Sequence, residues 1–302
     1  MRGIETLVDV NFADEVLKHP GCVGNERQVG LLGPLDGEQW SNDLFEEFIF
    51  ENLKYAASTP EEWASVISPE VKIRKIARRI RICEGKSKAS ELAEICLYGI
   101  MREHYHALPA VAKIYYKQNV NDTVKGADSV HVVLESDGKF SLWYGEAKFY
   151  QKITDAKIQI IVGSVKDMLD SNKMTKENEL VLGVPALRSL IEDDIIYRRI
   201  ESMLSHEGLS DELCSILHVP ILLLYQDAQV LEQEPITKDA RENIRANMEG
   251  IAKQYFDAQI KELGSHPQYS QICFHLILFP IPNKAIVAER FNRKMTTLRG
   301  MD

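Results

Sequence analysis

The chain has 302 residues with 45% hydrophobic side chains, enough to bury one large core or a core with an added subdomain. Thirty-six basic against 45 acidic side chains give a formal charge of −9, which excludes a nucleic-acid binder that works by overall basicity and confines any such contact to a local patch. The five cysteines are widely spaced, with no C-x-x-C pair, and read as reduced thiols. No basic-then-apolar leader opens the chain and no apolar run is long enough to span a bilayer, so a cytoplasmic protein without membrane contact is expected.

Residues 1 to about 40 set Gly21, Gly24, Gly30, Gly33, Pro34 and Gly37 around short apolar patches, which predicts short strands and loops. From Asp43 to Ala57 apolar residues recur at helical spacing, with Ser41 or Asn42 as N-cap. Thr59-Pro60-Glu61-Glu62-Trp63 reads as a second helix start, with Pro60 in the first turn. Between Lys72 and Lys88 eight basic residues face the single acid Glu84. One reading has Ile73, Ile76 and Ile80 anchoring a helix whose other face is merely solvated. The other has Arg74, Arg78, Arg79 and Arg81 contacting nucleic-acid phosphates, although no interleaved aromatics are there to stack on bases.

Ser90 to Leu108 is expected as one long helix, with Ser90 as N-cap and Pro109 beyond its end. Glu91 in its first turn suits the helix dipole. Glu94 stands out because its neighbours on that face are Leu97, Tyr98, Met101 and Tyr105.

Gly126 to Tyr150 predicts a hairpin: Val130, Val132 and Leu134 alternate, then Phe140, Leu142 and Tyr144, around Ser136-Asp137-Gly138. A two-residue turn would put Asp128 and Glu146 on different faces. A three-residue loop with Gly138 left-handed instead pairs Glu135 with Lys139 and sets Asp128 opposite Glu146. In that register Asp128, Glu146 and Lys148 lie at the charged end of one otherwise apolar face. Burying two carboxylates there costs several kcal/mol unless a cation compensates, so a metal or a salt bridge is expected.

Beyond the hairpin, Lys152 to Leu169 reads as a helix with Ile153, Ala156, Ile160, Val165 and Met168 as its apolar positions. Leu180 to Val184 and Val219 to Tyr225 read as short buried strands, separated by a helical stretch from Leu190 to Leu204. Ile236 to Leu263 is a further helical region, Ile272 to Phe279 a buried strand and Ala285 to Leu298 a final helix. The fold class is therefore α/β, a mixed central sheet flanked by helices.

An acid-x-Lys tripeptide is a weak signal, since it occurs five times, but only Glu146-Ala147-Lys148 lies on a strand beside an acid of the neighbouring strand. Asp128 and Glu146 suit a hard cation, Mg²⁺ or Mn²⁺, with the Ala147 carbonyl as a further ligand. Lys148 follows Glu146 by about 6.6 Å along the strand, in reach of an attacking water, where it could orient the water, act as base or stabilise charge at phosphorus. The rival reading is a structural ion pair between Lys148 and its carboxylates. His104, His106 and His131 make no metal-ligand spacing, and neither a Walker-type loop nor a G-x-S-x-G elbow is present.

At Asp128 and Glu146-Ala147-Lys148 the chain resembles the PD-(D/E)xK nuclease superfamily, with Ala127 where that motif carries proline. Over SELAEICLYGIMREHY, VKGADSVHVV and LWYGEAKFY it is similar to the HamA family, nuclease subunits of the bacterial Hachiman anti-phage system. The resemblance implies a metal-dependent DNA nuclease in residues 86–302, with residues 1–85 as an N-terminal extension or subdomain. It implies Asp128, Glu146 and Lys148 as catalytic, Glu94 in support of the metal, and a superfamily-2 helicase (HamB-like) as partner. The alternative is a non-catalytic adaptor that keeps the nuclease fold to dock a helicase or DNA.

Overall fold

The two longest apolar runs become the middle of the sheet. In the computed structural model, which describes residues 3–12, 24–81, 90–116, 127–135, 138–183, 185–205, 210–232 and 234–300, seven strands form one mixed sheet. They are β1 (Glu5–Asn11), β2 (Glu26–Leu32), β3 (Leu108–Val111), β4 (Ser129–Leu134), β5 (Phe140–Tyr150), β6 (Leu217–Gln226) and β7 (Cys273–Ile281), in the spatial order β1-β2-β7-β6-β5-β4-β3. The four central strands β2, β7, β6 and β5 run parallel, while β1, β4 and β3 add antiparallel pairings at the flanks. A parallel strand is covered on both faces, which is why β6 and β7 read as unbroken apolar runs and not as alternation.

The longer helices are α1 (Asn42–Ala57), α2 (Pro69–Arg79), α3 (Ser90–Glu103), α4 (Asp155–Met168), α5 (Ser171–Leu182), α6 (Asp194–Leu204), α7 (Lys238–Leu263) and α8 (Lys284–Arg299). Side-chain N-caps start most of them: Ser41, Thr154, Asp170, Asp193, Thr237 and Asn283 each accept from a backbone N–H of the first turn. One sheet face carries α1 and α3, through the Phe45 and Phe279 rings and the Tyr98 and His131 rings, whose centroids are 6.0 and 4.5 Å apart. The other carries α4, α5 and α7: the Tyr144 hydroxyl donates to Asn178 Oδ1 at 2.8 Å, and Met248 fills the space above Gly30. No described helix is long and apolar enough to cross a membrane.

Three expectations are corrected here. Leu180 to Gly183 is not a strand, and Val184 lies outside the described residues; α5 runs to Leu182, and its buried positions 174, 177, 178 and 181 follow helical spacing. The buried polar pair Glu177 and Asn178 in that stripe masks the pattern, because Glu177 is neutralised by the buried Lys113 ammonium. The Ser90 helix stops at Glu103, where Ala107 N–H closes onto Met101 O at 3.0 Å and His106 turns the chain at φ 52, freeing Leu108–Val111 to pair with β4. The α4 helix buries Val165 and Met168 as expected, but its remaining buried positions are Ile158, Ile161 and Val162, and Ile160 faces solvent. Within the first 85 residues, β1 and β2 extend the sheet through the β2 pairing with β7.

Candidate active site

The hairpin of β4 and β5 has the three-residue register. Leu134 pairs with Phe140, Val132 with Leu142 and Val130 with Tyr144, Gly138 takes φ +70, and Glu135 N–H donates to Lys139 O at 2.8 Å. Tyr144, Glu146 and Lys148 therefore share the face covered by α4, α5 and α7. The ladder ends one pair sooner than expected, at Ser129 and Gly145. A regular antiparallel pattern would give the Ala147 N–H to the Ala127 carbonyl. Instead the Asp128 Oδ2 accepts it at 3.1 Å, while the Asp128 N–H donates to Gly145 O at 2.7 Å. The side chain of Asp128 thus takes over a main-chain acceptor where β4 begins, which fixes its carboxylate beside Glu146.

Glu146 is buried at 6% exposure, and its Oε1 accepts from the Lys148 Nζ in a direct ion pair. Ser164 of α4 adds a side-chain hydrogen bond to Glu146. Burial first, and the neighbouring Asp128 charge second, push the Glu146 pKa up to about 7 against the attraction of Lys148 and the Ser164 bond. Lys148 also moves up: burial opposes its charge, but Glu146, Asp128 and Tyr150 together outweigh it. The ammonium form is therefore the resting state of Lys148, and the carboxylate of Glu146 is the group held near its balance point.

A buried glutamate whose proton affinity is raised by burial and by the adjacent Asp128 charge forms, with that aspartate, a donor set suited to a hard divalent cation, whose charge removes the repulsion. Among the described residues, however, no three histidine, cysteine, aspartate or glutamate side chains stand together as a metal-ligand group. Glu94 accordingly does not complete a three-carboxylate set with Asp128 and Glu146. It is buried on α3, whose Leu97 and Tyr98 pack against Gly145 and His131 on the opposite sheet face. Glu91 proves less idle than a dipole residue. Its carboxylate accepts from the Arg81 N–H and faces the Arg81 guanidinium at 3.9 Å.

The four arginines of the basic stretch have different fates. Arg79 is consumed by the fold: it makes a paired bond to Glu62, donates to Ala57 O at 2.7 Å and lies 4.6 Å from the Tyr115 ring. Arg74, Arg78 and Arg81 are exposed, while Ile76 and Ile80 are buried beneath them. The part of this stretch from residue 82 to 89 lies outside the described residues. His131, expected on the face away from Asp128, is buried there against Tyr98, and its pKa falls to about 3 because burial disfavours the charged ring. Cys96 and Cys214 are buried free thiols and Cys273 is partly so; Cys22 and Cys83 lie outside the described residues.

Ser164 was not legible as a site residue. Its only signal is position, a small polar side chain between Val162 and Val165 on the inward side of α4. Tyr150 belongs to the same alternation as Glu146 and Lys148, and its hydroxyl feels both charges.

No curated protein matches the chain. The family model for HamA matches residues 11–295, which takes in β2, the β4 and β5 hairpin with Asp128, Glu146 and Lys148, and every strand after it. The chain belongs to the HamA family.

Proposed function

We propose that this HamA-family chain is a Mg²⁺- or Mn²⁺-dependent deoxyribonuclease of the PD-(D/E)xK type, working in Hachiman anti-phage defence under the control of a superfamily-2 helicase partner. The observation that carries this reading is the meeting of Asp128, Glu146 and Lys148 at one end of one sheet face, with Glu146 buried and poised between its two charge states. Asp128 and Glu146 would hold the metal, with the Ala147 carbonyl as a further oxygen ligand. When bound, the cation would neutralise charge on the phosphoryl oxygens and make a water more acidic, so that no covalent nucleophile is required.

The protein's own side chains divide the remaining work. Asp128 is oriented by the Ala147 N–H, so its carboxylate is set before substrate arrives. Lys148, held as an ammonium by the acids around it, would sit beside the attacking water and the developing phosphorane charge as a donor. Burial of Glu146 under α4 keeps bulk water from screening these charges. Wild type and a Glu146→Ala, Lys148→Ala variant are compared on plasmid DNA with Mg²⁺ and with chelator. Cutting by wild type with Mg²⁺ alone is expected, and equal cutting by both proteins refutes the assignment.

The direct Glu146–Lys148 contact also favours a second reading, a non-catalytic adaptor in which this pair is structural. Calorimetric titration separates the two. The nuclease site takes up Mn²⁺ or Mg²⁺ and loses affinity in Asp128→Asn, whereas a structural ion pair shows no heat with either metal.

A further inference from the structure

β5 does not end at the acids, and what lies past them is cationic. We propose that Tyr150, Lys157 and Lys284 form a phosphate subsite beside Asp128, Glu146 and Lys148, holding the DNA backbone phosphate next to the one cut; this rests on the nuclease reading and states how that site grips its strand.

Glu146, Lys148 and Tyr150 alternate on one face of β5, each step covering about 6.6 Å along the strand. The Tyr150 hydroxyl is raised in pKa by burial while Lys148 and Glu146 act on it from behind, so it borders the cluster directly. Lys157, in the first turns of α4, places its ammonium over the Tyr150 ring, 5.2 Å from the centroid. Lys284 opens α8, which packs against α1 on the other sheet face through the Phe50 and Phe291 rings and the Arg290–Glu46 pair. Its Nζ donates to Phe149 O at 2.9 Å and lies 4.8 Å from the Phe149 ring. Two helices on opposite faces thus send one lysine each to the exit of the same strand.

Among the described residues neither ammonium has a carboxylate partner, although the exposed Lys166, Lys173 and Lys253 each do. The two lysines also feel each other: burial and the Lys157 charge both lower the pKa of Lys284. Bringing like charges together without a counter-charge is unfavourable for the free protein and favourable once an anion lies between them. The start of α8 does not supply this anion site by itself. Its N–H groups are already taken, Lys284 N by Gln226 Oε1 and those of Ala285 and Ile286 by Asn283 Oδ1. The subsite is therefore made of side chains, and lysine, a compact point charge, suits a phosphate contact that fixes register without reading bases.

The test measures binding of labelled single-stranded and duplex oligonucleotides to the full chain in chelator, as a function of salt, for wild type, Lys157→Gln, Lys284→Gln and the double variant. Each lysine lost should flatten the plot of log affinity against log salt by about 0.9 on duplex or about 0.7 on single strands. The charge-preserving Lys157→Arg, Lys284→Arg variant should keep the wild-type slope, which separates loss of charge from loss of fold. An unchanged slope in Lys157→Gln, whose ammonium lies over the Tyr150 ring, overturns the proposal whatever Lys284 does. So does failure of wild type to bind DNA. Inorganic phosphate that binds wild type but not the double variant, with DNA slopes unchanged, assigns the pair to free phosphate and also overturns it. Cleavage is scored separately. No cutting by wild type together with a flattened slope in the variants removes the nuclease reading and keeps the subsite as a DNA contact, whereas cutting by all with unchanged slopes and KM does the reverse.

Discussion

Replacing Glu146 by glutamine should change how stability depends on pH, and the structure fixes both the sign and the window. In the folded, metal-free protein burial and Asp128 raise the Glu146 carboxyl from 4.5 to about 7, while in the unfolded chain it returns to its ordinary value. Between those limits the folded state holds the extra proton, so wild-type stability falls as pH rises through the window. At about 1.4 kcal/mol per factor of ten, the loss amounts to roughly 3 kcal/mol by pH 8, with little discount for screening because Glu146 is only 6% exposed. Glutamine keeps the shape and removes the proton equilibrium. Urea unfolding in chelator from pH 5 to 8 is the assay, plotted as the difference between variant and wild type. The buried His218 and His275, whose pKa values burial lowers, titrate in both proteins and cancel in that difference. A difference that grows in favour of the variant by about 3 kcal/mol across the window is expected. Parallel curves would show that Glu146 is ionised in the fold without strain, and the account of a poised carboxylate would fail.

Two further outcomes test the frame that holds the site. At Gly145 an added Cβ would stand 2.4 Å from Ser129 Oγ and 2.8 Å from Leu97 Cδ2, so the Ser129 and Leu97 side chains must give way in Gly145→Ala; a loss of about 1–3 kcal/mol in urea unfolding is expected, and unchanged stability would refute tight packing there. Lys113 and Glu177 are ion-paired at 2% and 1% side-chain exposure, so Lys113→Met should cost about 3–5 kcal/mol by stranding the Glu177 carboxylate, and Lys113→Met with Glu177→Leu should recover most of it on the same assay.

Which parts of this molecule were legible from residues alone follows from how directly each pattern reports its physics. The β4 and β5 register was readable because Gly138 tolerates φ +70 and a one-residue slip would have reversed every apolar side chain. The unbroken apolar runs of β6 and β7 were readable as buried strands for the same reason, that both faces are covered. α5 was not, since its inward stripe holds Glu177 and Asn178, whose burial depends on Lys113 and Tyr144 far away in sequence. Nor was the end of α3, which is set by a main-chain closure onto Met101 that no side chain announces. Local periodicity finds elements whose burial is paid in apolar area and misses those that rely on distant polar partners.

The same distinction explains the site. Asp128, Glu146 and Lys148 are close in sequence or joined by one short hairpin, so alternation and turn geometry alone bring them together. Ser164 reaches Glu146 from α4, and Lys157 and Lys284 reach the end of β5 from α4 and α8, across sequence separations that periodicity does not bridge. Glu94 shows the converse, a residue conspicuous in its own helix that completes no three-residue metal-ligand group among the described residues. A carboxylate on an apolar helix face signals that some partner exists, but only the packing of that helix against a given sheet face decides which one. Here α3 lies on the His131 side, while the poised charge of Glu146 on the Tyr144 side is set by burial first and then by Asp128, Lys148 and Ser164.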